Sequence, residues 1–291
     1  MQPLISLVCT TVGRPDAIRK LLSSVAECDL AEQIEFILVD QSADGSSAEI
    51  LRNFPLPGPK QVTTSHRGAS VGRNAGTALA TADVIAFPDD NCWYPPSTIR
   101  EVLAVLDDRP ELCGISGKQV TADGRPSMLR WLDREVTVGR RNFMRTSICS
   151  TMFLRRSALP SPAPFDESIG TGSPGWRGAG EESDLLLRVI AAGHRVLYLP
   201  DVLVYQDDDR DAITVEFVGK MLKYGVGVGH LWRRHRLSVP QLTYHSARKL
   251  AGSGVRAVRG DRTLARADLA YVRGQVAGWR GVAPRMTGAA D

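Results

Sequence analysis

The 291-residue sequence has no apolar run approaching the ~18 residues needed to cross a bilayer. Its opening segment, MQPLISLVCTTVGRP, has no basic stretch ahead of a short apolar run, so it does not read as a secretory leader. Cysteine is sparse: Cys9, Cys28, Cys92, Cys113 and Cys149 are widely spaced and form no CxxC pair. That argues against a disulfide framework or a zinc site and for reduced structural thiols. No internal repeat or low-complexity tract is visible, which removes solenoids and arrays. With 43% hydrophobic and 23% charged residues, wholesale disorder is excluded too. These absences leave a cytoplasmic globular protein, large enough to bury a sizeable core, as the expectation.

What is present is unevenly spread. Residues 219–291 hold 14 Lys and Arg against 3 Asp and Glu, a net +11, while the whole chain carries +4. Residues 1–218 therefore carry −7. An acidic body with a basic, helix-compatible tail predicts two parts, 1–218 and 219–291. In the body, the continuous apolar runs Leu4–Cys9 and Ile34–Asp40 fit strands buried on both faces. Between them Ile18, Leu21, Leu22 and Val25 recur at helical spacing. Further strands are predicted at Gln61–Thr64, Asp83–Phe87, Leu112–Gln119, Ser147–Leu154, Arg195–Leu199 and Val202–Tyr205. Helices are predicted over 48–53, 70–80 and 97–106 and from Glu181 onward. The alternation predicts an α/β fold with a doubly wound, mostly parallel sheet. Ligands of such sheets gather at the carboxyl ends of the strands, where Asp40 and the pair Asp89-Asp90 fall.

The acidic pair lies in FPDDNCWYPP. A divalent cation on two phosphates takes hard oxygen ligands and keeps several waters, so one or two carboxylates suffice. The same pair also reads as a solvated turn. Upstream, HRGASVGRNAG sets Arg73 and Asn74 early in a helix, where a guanidinium favours a phosphate or carboxylate neighbour. Alone, that pattern fits a surface arginine equally well. The segment GEESDL opens a helix with three acids, which either supply a general base or only complement the helix dipole.

In order along the chain, CTTVGRP, IEFILVDQSADGSS, GASVGRNAGTALATADVIAFPDDNCWYPP and GAGEESDLLLRVIAAG resemble the motifs of family 2 glycosyltransferases of the GT-A fold. That family reads PTYNR, VVDDGSTD, ARNxG, a DxD element and ED-x-D-L-x-x-R. The resemblance spans residues 4–206. It implies a Rossmann-like nucleotide-binding half at about 1–119 merged with an acceptor half at about 120–218. It also implies inverting, hexosyltransferase-type transfer from a nucleotide-diphosphate sugar to a hydroxyl acceptor. By matching positions, Thr11 and Arg14 lie beneath the nucleotide base, Asp40 accepts a hydrogen bond from it, and Arg73 stands near base and phosphates. Trp93 and Pro95 set the DxD register: Pro88 takes the first acid's place, Asp89 faces the ribose or donor sugar, and Asp90 binds a divalent metal, Mn2+ or Mg2+. Arg188 sets the later register and puts Glu182 in the place of the base aspartate. Glu181 and Asp184 are the alternatives for base, and Trp176 in the preceding loop is a candidate acceptor contact. Two positions depart from the pattern. Gln41 replaces a second acid near the ribose, and Gln206 stands where many members have a metal-binding histidine, leaving an amide oxygen as second ligand.

The resemblance favours UDP in the donor, with GDP and dTDP as the other options. The acceptor is a hydroxyl on a sugar, a lipid-linked sugar or a small molecule. The basic tail suits an anionic membrane surface, with Leu231, Trp232 and Trp279 entering the boundary and the protein peripheral on the inner face of the cell membrane. The competing view packs these helices on the body and leaves their charge solvated. No nucleic-acid module is recognisable, so nucleic acid is not an expected partner. Gln41 and Gln206 also suggest a rival, a non-catalytic nucleotide-sugar-binding or scaffold homologue. A nucleotidyltransferase is disfavoured, because the first loop lacks a GxGxR-type triphosphate grip.

Overall fold

The computed structural model describes residues 2–207 and 214–284. It divides into two compact units, residues 1–165 with 185–208, and residues 166–184 with 209–291.

The first unit is built on one nine-stranded sheet. Strands β1 (Ile5–Thr11), β2 (Ile34–Asp40), β3 (Lys60–Thr64) and β4 (Val84–Ala86) run parallel in the order β3-β2-β1-β4. The remaining strands are β5 (Cys92–Trp93), β6 (Leu112–Val120), β7 (Val136–Thr137), β8 (Met152–Arg155) and β9 (Arg195–Gln206). β8 pairs antiparallel with both β4 and β6, β9 runs parallel to β6, and β5 and β7 add antiparallel to β9. Every residue of β2 is buried, as a strand covered on both faces must be, which is why its apolar run does not alternate. Helices α1 (Pro15–Ala26), α2 (Ser46–Asn53), α3 (Ala69–Thr77) and α4 (Thr98–Asp108) connect the strands. Pro15 starts α1, where its missing N–H costs nothing, and Ile18, Leu21, Leu22 and Val25 face the core. Helix α3 lies close on the sheet because Gly76 has no side chain; a Cβ there would stand 2.4 Å from Val8 Cγ1.

The α/β class and the mostly parallel sheet follow the expectation, while two local details differ. The predicted strands 195–199 and 202–205 form one continuous β9, because a register slip against β6 between Ser116 and Lys118 accommodates the intervening residues. The predicted strand 147–154 begins only at Met152, since Cys149–Thr151 close a 3₁₀ turn first. All five cysteines are buried, and none forms a disulfide among the described residues. Burial, reinforced by nearby Asp90 and Asp89, pushes the Cys9 thiol well above its usual pKa, so it stays protonated and inert.

Helix α5 (Glu181–Ala191) begins in the second unit and continues into the first, with the division after Asp184. The rest of the second unit is helical: α6 (Val215–Arg234), α7 (Val239–Val258) and α8 (Arg262–Arg280). Helices α6 and α8 meet along a glycine seam in which backbone touches backbone. A Cβ at Gly225 would lie 2.0 Å from Tyr271 O, and one at Gly278 would lie 2.1 Å from Val226 O. This packing corrects one expectation about the tail. Leu231 and Trp232 are each 1% exposed, and the Trp232 indole donates to Ser238 O at 3.0 Å, so neither reaches a surface. Among the described residues no helix is long and apolar enough to cross a membrane.

Candidate active site

Parallel pairing aligns the carboxyl ends of β1 and β2, placing Thr11 directly beside Asp40. The chain leaving β4 continues alongside, with Asp89 bridged to Thr10. Two predicted positions, Thr11 and Arg14, meet at Asp90, which is 6% exposed. Thr11 Oγ1 donates to one of its oxygens at 2.8 Å, and Arg14 Nη1 lies 3.2 Å from the other. Its neighbour Asp89 is paired with Arg73 Nη2 at 2.9 Å, and the Arg73 guanidinium is buried over the Phe165 ring, 5.5 Å from its centre. Two adjacent carboxylates thus point to two different arginines, which removes the repulsion that the sequence DD raises.

Phe165 is itself pinned. Asn74 Nδ2 donates to Phe165 O and Phe165 N donates to Asn74 Oδ1, both at 2.9 Å. The asparagine of the RN pair therefore supports the arginine's platform. Asp40 is buried, with three donors on it: Ser42 N at 2.9 Å and Ser42 Oγ at 2.6 Å on Oδ1, and Ala48 N at 2.8 Å on Oδ2. A carboxylate accepts about four hydrogen bonds, so one acceptor site of Asp40 is left beyond its own loop.

The departure at Gln41 has a local cause. Its Nε2 donates to Ser65 Oγ, His66 O and Gly68 O at 2.9, 2.7 and 2.9 Å, while Oε1 accepts from Gly68 N at 3.2 Å. A carboxylate could not donate to those oxygens, so the amide here fastens the loop that leads into α3 and Arg73. At Gln206, the last residue of β9, Nε2 reaches Asn91 Oδ1 at 3.4 Å, while the buried Oε1 has no hydrogen-bond partner.

The remaining predicted residues belong to the second unit. Of the acids in the first turn of α5, Glu181 and Asp184 are buried and Glu182 is partly exposed. Asp184 is fully buried between His235 Nε2 at 2.8 Å and Arg234 Nε at 3.1 Å, and its N–H donates to Gly180 O at 2.8 Å. Arg234 also pairs with Asp166, whose carboxyl, though raised by burial, is brought down to about 2 by Arg234 and Ser168. Trp176 is half-buried in the loop before this turn. No local signal marks Arg234 and His235, which lie 50 or more positions from Asp184 in the basic tail.

Among the described residues no three His, Cys, Asp or Glu side chains converge as a ready metal cage. The donor atoms fit a weaker arrangement: one hard carboxylate at Asp90 and the orphaned amide oxygen of Gln206. Such a pair suits a cation that is shared with substrate phosphates.

The family model described as glycosyl transferase family 2 matches residues 6–159. The chain belongs to this family. No curated protein matches it. Among solved structures, this family 2 chain is similar to S. aureus TarS 1–349, at 17% identity and a TM-score of 0.59, covering 97% of this chain and 93% of that one. TarS 1–349 in complex with UDP-GlcNAc gives 16% identity and a TM-score of 0.58, covering 97% and 93%. The mannosyltransferase PcManGT from Pyrobaculum calidifontis, in complex with GDP-Man and Mn2+, gives 14% identity and a TM-score of 0.61, covering 96% and 88%. At these identities the likeness speaks to the fold, which in this chain is GT-A-like.

Proposed function

We propose that the protein is an inverting glycosyltransferase that moves a sugar from a nucleotide-diphosphate sugar to a hydroxyl acceptor. The observation that carries this reading is the convergence of Thr11, Arg14, Arg73, Asp89 and Asp90 at the carboxyl ends of the sheet in a family 2 chain. Thr11, Arg14 and the free acceptor site of Asp40 would face the nucleotide, and Asp89 the ribose or donor sugar. Arg73, held over Phe165, keeps a positive charge fixed beside the phosphates. UDP is the favoured nucleotide, as in the TarS complex, with GDP and dTDP the other options; PcManGT carries GDP-Man.

Asp90 and Gln206 Oε1 would hold Mn2+ or Mg2+, which when bound offsets charge on the departing diphosphate. Arg14 is half-exposed, so its guanidinium is free to swing from Asp90 to a phosphate oxygen. Glu182 takes the proton of the acceptor hydroxyl as that oxygen bonds to the anomeric carbon. The bond from that carbon to the diphosphate oxygen breaks, and the nucleoside diphosphate departs with the electron pair. Glu182 is favoured over its neighbours because it alone of the three acids is not buried.

Two measurements test the reading. Titration with UDP, GDP and dTDP, with and without Mn2+, should show nucleotide binding; no binding under any condition refutes it. Glu182→Gln should abolish transfer and leave donor binding intact, and unchanged turnover would remove Glu182 as base. Binding with no transfer by the unsubstituted protein to any acceptor would instead favour the scaffold reading, for which the amide at Gln206 speaks.

A further inference from the structure

Exposed large hydrophobic side chains are concentrated at one end of the chain. Of the twelve among the described residues, nine lie between Val239 and Val282, on α7, α8 and the residue stretch that follows. On α7, Tyr244, Val255 and Val258 are 62%, 52% and 90% exposed. With Ala247, Ala251 and Gly254, also exposed, they recur at helical spacing and form one outward apolar stripe. The opposite face of α7 is spent on α8: Ser253 Oγ donates to Ala265 O at 2.9 Å, and Lys249 Nζ meets Asp268 at 2.9 Å. The stripe therefore has no neighbour within its own unit.

Among the described residues the exposed charge around it is almost all positive. Arg248, Arg259, Arg262, Arg266, Arg273 and Arg280 are all exposed. Of the two acids described beyond residue 239, Asp268 is buried and neutralised by Lys249 and Arg256, leaving only Asp261 outside. On α8 the exposed arginines alternate along one face with Leu269 and Val276. Facing a second copy through this surface would set arginine rows against each other, which disfavours self-association.

We propose that the outer face of α7 and α8 docks on an anionic lipid bilayer. The arginines take the headgroup phosphates and the α7 stripe enters the headgroup–acyl boundary, with the helices lying on the surface rather than spanning it. The proposal is independent of the donor and of the base, and it makes a lipid-linked hydroxyl the expected acceptor class.

The test is co-sedimentation of the full chain with vesicles of phosphatidylcholine alone or mixed with phosphatidylglycerol. Binding is expected only with the anionic mixture, and it should weaken with salt. Loss of two arginines in Arg259→Ala/Arg266→Ala should lower partitioning roughly 30-fold, at about a factor of five each. Val255→Glu/Val258→Glu, at exposed positions where circular dichroism should stay unchanged, should abolish it. Nucleotide binding should be unchanged in both variants, which separates failure of docking from failure of the catalytic reading. Equal binding to neutral vesicles, or full binding by either variant, would overturn the proposal. So would a concentration-dependent dimer, without vesicle binding, that Val255→Glu/Val258→Glu dissolves, because the face would then join two copies.

Discussion

Gly227 in α6 offers the sharpest test of how the second unit supports chemistry. A Cβ at this position would lie 1.9 Å from Ala179 O, 2.9 Å from Ala179 C and 3.0 Å from Ala179 N. All three obstacles are backbone, so no rotamer change relieves Gly227→Ala. Either α6 or the segment ahead of α5 must move by more than 1 Å to restore normal contact, roughly the sum of the atomic radii less the present gap. Overpacking of this kind costs about 1–3 kcal/mol, and a rigid obstacle puts it at the upper end. Alanine returns about 1 kcal/mol of helix propensity, so the net loss is about 1–2 kcal/mol. Gly219 lies in the same helix with nothing within 4 Å of its added Cβ. There the same substitution keeps only the propensity gain, about 1 kcal/mol of stabilisation.

The two variants should therefore shift Tm in opposite directions, by roughly 2–4 °C per kcal/mol. Activity should separate them further. Ala179 lies two residues before the helix that carries Glu182, the proposed base, and a displacement near 1 Å of a reacting group costs about 100-fold in rate. Gly227→Ala should lower kcat on that scale and leave nucleotide affinity unchanged, because the residues proposed to face the nucleotide belong to the first unit. Thermal melts, donor-binding titrations and transfer assays on both variants decide the matter. A Gly227→Ala protein as stable as Gly219→Ala, with unchanged kcat, would refute this account of the contact.

Three other outcomes are expected. Asp184→Asn removes the buried charge between Arg234 and His235 and should destabilise by about 3 kcal/mol in urea unfolding, the low end for a broken buried pair because Arg234 keeps Asp166. His230 is held at a pKa of about 4 against an ordinary 6.5, chiefly by burial and then by Arg177 and Arg234. Between those values the unfolded chain binds more protons, so stability should be constant above pH 6.5 and fall by about 1–3 kcal/mol as pH drops to 4, a slope that His230→Gln should reduce. Gln41→Glu places a carboxylate against Ser65, His66 and Gly68 oxygens and should cost about 1–3 kcal/mol, with weaker nucleotide binding by calorimetry.

Much of the sheet is legible in the sequence because its strands are short apolar runs with an acid or a turn at each end. Asp40 and Asp89-Asp90 fall at strand ends for that reason. Their partners are less legible. Arg73 and Asp89 sit on consecutive elements, and family motifs bring both to notice, yet nothing local assigns Arg14 to Asp90 and Arg73 to Asp89. The tail misleads in a different way. Trp232 reads as amphipathic by composition, but α6 packs on α8 and on the segment around Ala179, so the residues flanking its glycines are core. The surface apolar residues are instead on α7, whose stripe becomes meaningful only once Asp268 identifies the face turned to α8.

The same reasoning separates the two glutamines at family-variable positions. Both replace residues that elsewhere bear charge or bind metal, and sequence alone treats them as equal signs of lost function. Gln41 has every polar atom engaged, with its amide donating where an acid could only repel. Its identity is explained by the loop it ties down, with no reference to the ribose. Gln206 is the reverse: its amide nitrogen makes one long contact to Asn91 and its buried oxygen makes none. An unpaired buried acceptor costs about 1–3 kcal/mol, a cost that a ligand at this oxygen would relieve. The amide at position 41 is therefore structural, while the one at 206 keeps an unsatisfied buried oxygen, the second ligand proposed with Asp90. Metal dependence in this chain should accordingly respond to Gln206→Ala and be indifferent to Gln41→Ala, as Mn2+ titration of nucleotide binding would read directly.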